Sequence, residues 1–253
     1  MSWLTVSASI AGTSHVATGL PCQDSCYANV ERDARGEPVL VVLVADGAGS
    51  AEHGGLGAER AIEYGVSAIC QQLQQREYCL HEEFATNCVI SVRERLYAAA
   101  ESEGNVARDY ACTFLGLVSS ANRTLLMQVG DGGIVVDTGV GLQLPIQPMT
   151  GEYANQTYFV TDMDALDYLA IKIVDAGVKH AAAFSDGIQR LALHLQDGEP
   201  HAPFFAPFFA TLDKISEEQV ADLEVPLRAF LDSASVNERT DDDKTLVLVA
   251  SRL

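Results

Sequence analysis

Val41-Val42-Leu43-Val44-Ala45-Asp46-Gly47 is an unbroken apolar run that stops at a carboxylate and a glycine. A strand half in water alternates apolar with polar residues, so a continuous run rich in valine reads as a strand buried on both faces. An aspartate at its end sits at the rim of the core. The glycine after it allows a sharp turn and a close backbone approach to a ligand. The pattern recurs. Leu125 to Val129 runs into Gly130-Asp131-Gly132-Gly133, and Ala181 to Phe184 runs into Ser185-Asp186-Gly187. Asp241-Asp242-Asp243 leads into the apolar stretch Leu246 to Ala250. One Asp-Gly is ordinary turn chemistry; its repetition at the ends of buried strands is not. Carboxylates gathered at one rim repel and raise one another's pKa, a conflict that a divalent cation removes. All-oxygen donors suit hard ions, magnesium or manganese, over zinc or copper.

Outward from these segments, Trp3 to Ile10, Thr113 to Val118, Ile134 to Val136 and Leu142 to Leu144 also read as strands. Ser119 to Asn122 and Asp137-Thr138-Gly139 read as hairpin turns, and such short connections imply antiparallel pairing. From His81 to Glu103, Phe84, Cys88, Val92 and Leu96 recur every four positions and predict a one-sided helix. Ala58 to Leu73 predicts a second. Ser216 with Gln219 forms a capping box for a third, running to Phe230. Strands and helices fall partly in blocks, which implies an α+β layered architecture, and no linker or repeat divides residues 1–253 into more than one domain.

The chain has 253 residues, 48% of them hydrophobic and 20% charged, values ordinary for a globular protein. The net charge is −19, from 35 acids against 16 bases, and disfavours nucleic acid, whose affinity comes from Lys and Arg on phosphates. No apolar stretch reaches a membrane-spanning length of about 18 residues, and Met1 to Val6 lacks the pattern of a signal peptide. The expected compartment is the cytoplasm, with the six cysteines reduced. Other chemistries fail on their motifs. Asp162-Met163-Asp164 lacks the glycine and glutamate of a calcium loop, and Gly54-Gly55-Leu56-Gly57 lacks a P-loop lysine. No Gly-x-Ser-x-Gly elbow occurs.

Together the segments resemble a known family. Gly12-Thr13-Ser14-His15, Gly19 to Ser25, Val44 to Ser50, Val129 to Gly132, Phe184 to Gly187 and Arg239 to Thr245 resemble, in order, the motifs of the metal-dependent type 2C (PPM) Ser/Thr protein phosphatases. The resemblance spans nearly the whole chain. It is to the divergent bacterial branch encoded alongside a Ser/Thr protein kinase and a von Willebrand A-type protein, which implies both as partners besides phosphorylated proteins. The family implies a four-layer α-β-β-α sandwich of two antiparallel sheets flanked by helices. It also implies hydrolysis of phosphoserine and phosphothreonine by a water bridging two manganese or magnesium ions.

Carried over by motif, Asp46 bridges both ions and the Gly47 carbonyl binds one. Asp186 and either Asp242 or Asp243 hold the other. Asp24 contacts metal through water, and Asp131 shares a third, weaker ion with Asp186. Three positions depart from the family. Gln23 stands where a glutamate is usual, Ala48 where many members carry a histidine proton donor, and His15 where an arginine grips the substrate phosphate. His15 and His53 are therefore the candidate replacements. Pro145 to Asp162 is either a flap beside the substrate or a plain loop. The departures leave a second reading open, a pseudo-phosphatase that binds metal or a phosphorylated partner, and a third, a phosphatase of small molecules.

Overall fold

The structure, a computed structural model, describes residues 2–149, 157–194 and 198–252. Its first half comprises β1 (Ser2–Ile10), α1 (Thr13–Thr18), β2 (Asp24–Arg32), β3 (Pro38–Asp46), α2 (Gly54–Leu73), α3 (Glu82–Ser102), β4 (Phe114–Ser119) and β5 (Thr124–Val129). There follow β6 (Gly133–Asp137), β7 (Leu142–Gln143), β8 (Ala170–Val174), β9 (His180–Phe184), α4 (Asp186–Ala192), α5 (Ala202–Leu212), α6 (Glu224–Leu231), α7 (Ala234–Asn237) and β10 (Lys244–Arg252).

Residue parity sorts the side chains into layers. On β3, Val39, Val41, Leu43 and Ala45 pack with α2 and α3, while Leu40, Val42 and Val44 face the opposite sheet. On β10, Val247 and Val249 point between the sheets, and Leu246, Leu248 and Ala250 pack with α5 and α6. Both strands are buried on two faces, which is why they are apolar without alternation. One sheet has the order β2-β3-β4-β5-β8 and the other β1-β10-β9-β6-β7, with every pairing antiparallel. The expected four-layer α-β-β-α sandwich is the observed fold.

The differences from expectation have local causes. Helix α2 begins at Gly54, four residues before Ala58, through glycines that disfavour a helix in isolation. They are there for close packing: a Cβ on Gly54 would stand 2.5 Å from the Ala48 carbonyl oxygen. The Ser216 to Phe230 helix is two pieces, a 3-10 segment Glu217–Leu223 and then α6. Gln219 does cap the Ser216 amide at 3.0 Å, but Pro226 has no N–H to carry the α-helical ladder across the junction. Helix α3 forms as expected, with the His81 ring accepting from the Phe84 amide at 3.2 Å. The sequence reading missed β2, β8 and α5, and the short helices α1, α4 and α7. In β2, Cys26, Ala28 and Val30 lean on the inter-sheet core and alternate with Tyr27, Asn29 and Glu31. All six cysteines are free. Among the described residues no helix is long and apolar enough to cross a membrane.

Helix α2 lies so close to its sheet that a Cβ on Gly65 would stand 2.8 Å from the Phe114 ring and 2.9 Å from a Leu43 methyl. Gly65→Val is expected to lose about 1–3 kcal/mol in urea unfolding. Adding Leu43→Ala, which opens space at that spot, should cost less than the sum of the two single losses. Strict additivity would contradict the close contact.

Candidate metal centre

Asp24 and Asp46 are direct cross-strand partners at the same end of β2 and β3. Like charges so placed are destabilising. Even-numbered residues of both strands face the space between the sheets, so the two carboxylates cap the inter-sheet core. Thr113 fixes the backbone here. Its hydroxyl accepts from the Asp46 amide at 2.9 Å, and its own amide donates to the Asp46 carbonyl at 2.8 Å. Gly130, at φ 115°, makes the turn that presents Asp131 after β5, a conformation few other residues adopt. Asp186 opens α4. A Cβ on the adjacent Gly187 would stand 2.0 Å from the Asp243 carbonyl oxygen, so only glycine lets this helix reach the acidic segment.

These elements enclose a cavity of about 220 Å³ whose walls include His15, Asp46, Gly47, Asp131, Asp186 and Asp242. Asp24 lies beneath it, buried, with Oδ2 accepting from the Ser185 hydroxyl at 2.7 Å. Burial pushes the Asp24 carboxyl up to about 7 against the pull of the Ser185 and Thr245 hydroxyls, with Asp243 and Asp186 adding repulsion. Burial, then Asp24, Asp186, Asp242 and Asp131, hold Asp46 well above the usual carboxylate range. Asp186 rises to about 6, from burial and then from Asp131 and Asp242, while the neighbouring Asp46 carboxyl lowers it. Burial also raises Asp131, which the Thr157 hydroxyl contacts.

The donors fit a hard cation. All are oxygens, and Oδ1 of Asp24 and Oδ1 of Asp186 are buried without any hydrogen-bond partner. Charged oxygens so placed favour a positive neighbour. Among the described residues no three or more His, Cys, Asp or Glu close into a finished coordination set; the carboxylates of Asp46, Asp131, Asp186 and Asp242 line the cavity.

The two rival aspartates differ in surroundings. Oδ1 of Asp243 accepts from the Gly12 amide at 2.7 Å, and Oδ2 accepts from the Gln23 amide at 2.5 Å and meets Nδ1 of His15 at 3.0 Å. Asp243 is thus buried and spent on tying loops together. Asp242 is exposed and spends one oxygen, on the Asp243 amide at 2.9 Å. His15 lines the cavity, whereas the His53 ring packs on Tyr110 at 5.2 Å and is not part of its wall. Of Pro145 to Asp162, Thr157 and Phe159 border the cavity, and residues 150–156, with Gly151 to Asn155, lie outside the described residues. Sequence reasoning did not single out Thr113, Ser185 or Thr157. Ser185 lay within a quoted motif; the other two carry no local signal.

The sequence model of the family described as protein phosphatase 2C matches residues 11–231. The chain belongs to the protein phosphatase 2C family. It is a protein phosphatase, as the motifs imply. Serine/threonine-protein phosphatase 3 of Escherichia coli (strain K12) is 51% identical over 248 residues, covering 98% of each chain. That alignment extends past residue 231, where the family match ends before Asp241–Asp243. Among solved structures, the S. agalactiae serine/threonine phosphatase shares the fold with TM-score 0.63 at 14% identity, covering 99% of this chain and 100% of that one. The catalytic domain of the serine/threonine protein phosphatase PstP, in complex with two manganese ions, does so with TM-score 0.59 at 15% identity, covering 98% and 97%.

Two outcomes follow. In the metal-free phosphatase, a carboxyl whose folded pKa lies above its unfolded value contributes stability that is complete below about pH 4. That contribution is lost as pH rises through about 6 for Asp186 and about 7 for Asp24. The melting temperature of EDTA-treated protein should therefore fall by several degrees over this interval, and manganese at neutral pH should restore it. A melting temperature that climbs with pH would contradict this. Second, Asp243→Asn should cost the metal-free fold about 1–3 kcal/mol. Asp242→Asn should leave that fold intact while weakening manganese binding in calorimetry.

Proposed function

We propose that this phosphatase hydrolyses phosphoserine and phosphothreonine on proteins with two manganese or magnesium ions, held by Asp46, the Gly47 carbonyl, Asp186 and Asp242. The observation that carries this reading is the opposition of Asp24 and Asp46 across β2 and β3, with unpartnered oxygens on Asp24 and Asp186. When bound, such ions supply an activated water and offset charge on the phosphoryl oxygens. The protein's own part is to hold charge in place. Asp46 is pinned through its backbone by Thr113 and lines one cavity with Asp186. Asp24 stands behind them, oriented by Ser185. Asp131, held by Thr157, is the site for a third, weaker ion. Asp243 holds His15 by one ring nitrogen at the cavity wall, which leaves Nε2 as the edge for a phosphoryl oxygen.

A cavity of about 220 Å³ has room for a phosphoryl group and the side chain that carries it. The substrate presents its phosphorylated residue there on an extended segment. With Ala48 in place of the family's histidine, no side chain beside Asp46-Gly47 donates the proton, so the departing alcohol takes it from water or from His15. Likeness to the branch encoded beside a kinase and a von Willebrand A-type protein supports those two as partners, and the cytoplasm as the place of action.

Manganese should switch on phosphate release from a phosphothreonine peptide and from an aryl phosphate. Asp46→Asn and Asp186→Asn should each lower the rate by at least about a hundredfold, the loss of a charge-stabilising group at a phosphoryl centre. Undiminished turnover in EDTA would overturn the metal requirement. Binding of phosphopeptide without turnover at saturating manganese would indicate the pseudo-phosphatase instead.

A further inference from the structure

A groove of about 460 Å³ opens from the carboxylate cavity and shares Ser50, Thr157 and Phe159 with it as a common wall. It carries one basic side chain, Arg108, and two acidic ones, Asp109 and Asp162. The acids are partly spent within their own turns. Oδ2 of Asp109 accepts from the Val106 amide at 3.1 Å, and Oδ2 of Asp162 from the Phe159 amide at 2.8 Å. Arg108 is exposed, and among the described residues its guanidinium has no hydrogen-bond or ion-pair partner. Other arginines nearby are committed. Arg93 donates to the Asp162 carbonyl at 2.6 Å, and Arg60 is paired with Glu103 at 2.5 Å.

Both sides of the groove are held firmly. Arg108 rides on a 3-10 turn, Ala107–Tyr110. The Tyr110 ring is fully buried and its hydroxyl is bound to Glu103 and to Asn105. The His53 amide donates to the Asp109 carbonyl at 2.7 Å, and the Ala48 amide to the Ala111 carbonyl at 2.9 Å, which fixes this turn to the Asp46-Gly47-Ala48 corner. Opposite, helix α3 grips the other wall, through Arg93 and through Tyr97, whose hydroxyl donates to the Thr161 carbonyl at 2.7 Å. An uncommitted cation thus stands on a fixed platform beside the reaction cavity, in a chain of net charge −19. A guanidinium so presented is matched in geometry to a carboxylate.

We propose that Arg108 is a specificity-determining residue that binds the carboxylate of a glutamate or aspartate flanking the phosphorylated residue of the substrate. The inference rests on the phosphoprotein reading above. An extended peptide whose phosphate enters the cavity lays its neighbouring residues along the groove. One of these positions lies against Arg108, and the peptide's other side chains face Asp109, Asp162 or solvent.

The test uses phosphothreonine-mimetic peptides with a non-hydrolysable phosphonate, bound to the manganese-loaded full chain and followed by fluorescence anisotropy. Each of the two positions on either side of the phosphonate is set in turn to Glu, Gln or Lys. One position should favour Glu over Gln by about threefold to fivefold in Kd, the range of a single exposed ion pair. Arg108→Gln should abolish that preference at that position alone, and Arg108→Glu should turn it toward Lys. A preference at no position, or one that persists unchanged in both variants, overturns the proposal while leaving the phosphatase reading standing. Arg108→Gln weakening all peptides equally would assign the residue to the phosphate itself and likewise overturn it. No binding by any peptide would remove the phosphoprotein reading, and the inference with it.

Discussion

The repulsion between carboxylates at one end of the sandwich is the constraint around which the rest is arranged. Register alone brings Asp24 opposite Asp46, and register is fixed by the two apolar cores on either side of β3. The hydrophobic surface of Val39 to Ala45 therefore holds in place an arrangement that electrostatics opposes. The opposition is eased by the hydroxyls around Asp24 and by the raised proton affinity of the buried Asp24, Asp46 and Asp186 carboxyls. A cation would ease it further. Stability and function pull against each other here, which is common where charged groups are gathered to act.

Bringing the carboxylates together also requires backbones to cross more closely than side chains permit. Gly54 against Ala48 and Gly187 against Asp243 are two such crossings. They join α2 to the loop that follows Asp46 and α4 to the segment that carries Asp243. The glycines that punctuate the motifs thus serve mainly the approach of one segment to another, and at Gly19 and Gly130 a left-handed backbone makes the demand.

Much of this was legible in the sequence because it is written in short-range patterns. Continuous apolar runs gave β3, β9 and β10, and the Asp-Gly that follows β3 and the Ser-Asp-Gly that follows β9 marked the rim. The four-residue recurrence of Phe84, Cys88, Val92 and Leu96 gave α3. Strand β2 was missed although Cys26, Ala28 and Val30 alternate plainly, because its apolar residues are few and small. Helix α5 was missed because Pro203 and Pro207 argue against a helix, and its phenylalanine packing with β9 and β10 outweighs them. The different surroundings of Asp242 and Asp243 could not be read from the chain, since they turn on the amides of Gly12 and Gln23, over 200 residues away in sequence. Thr113, Thr157 and Arg108 have no local signature for the same reason.

The division of β3 by parity carries a further meaning. Even positions serve the inner layer and odd positions the outer one, and Asp46 inherits its direction from the count that begins at Val39. Insertion or deletion of a single residue within the strand would exchange the two layers, and both are apolar, so much of the packing could survive. The aspartate, however, would point into the helices. The strand is thus tolerant of error as a piece of scaffold and intolerant as a ruler. Length variation in this protein is better sought in its hairpin at Asp137–Gly141, where the count no longer sets the direction of any carboxylate of the cavity.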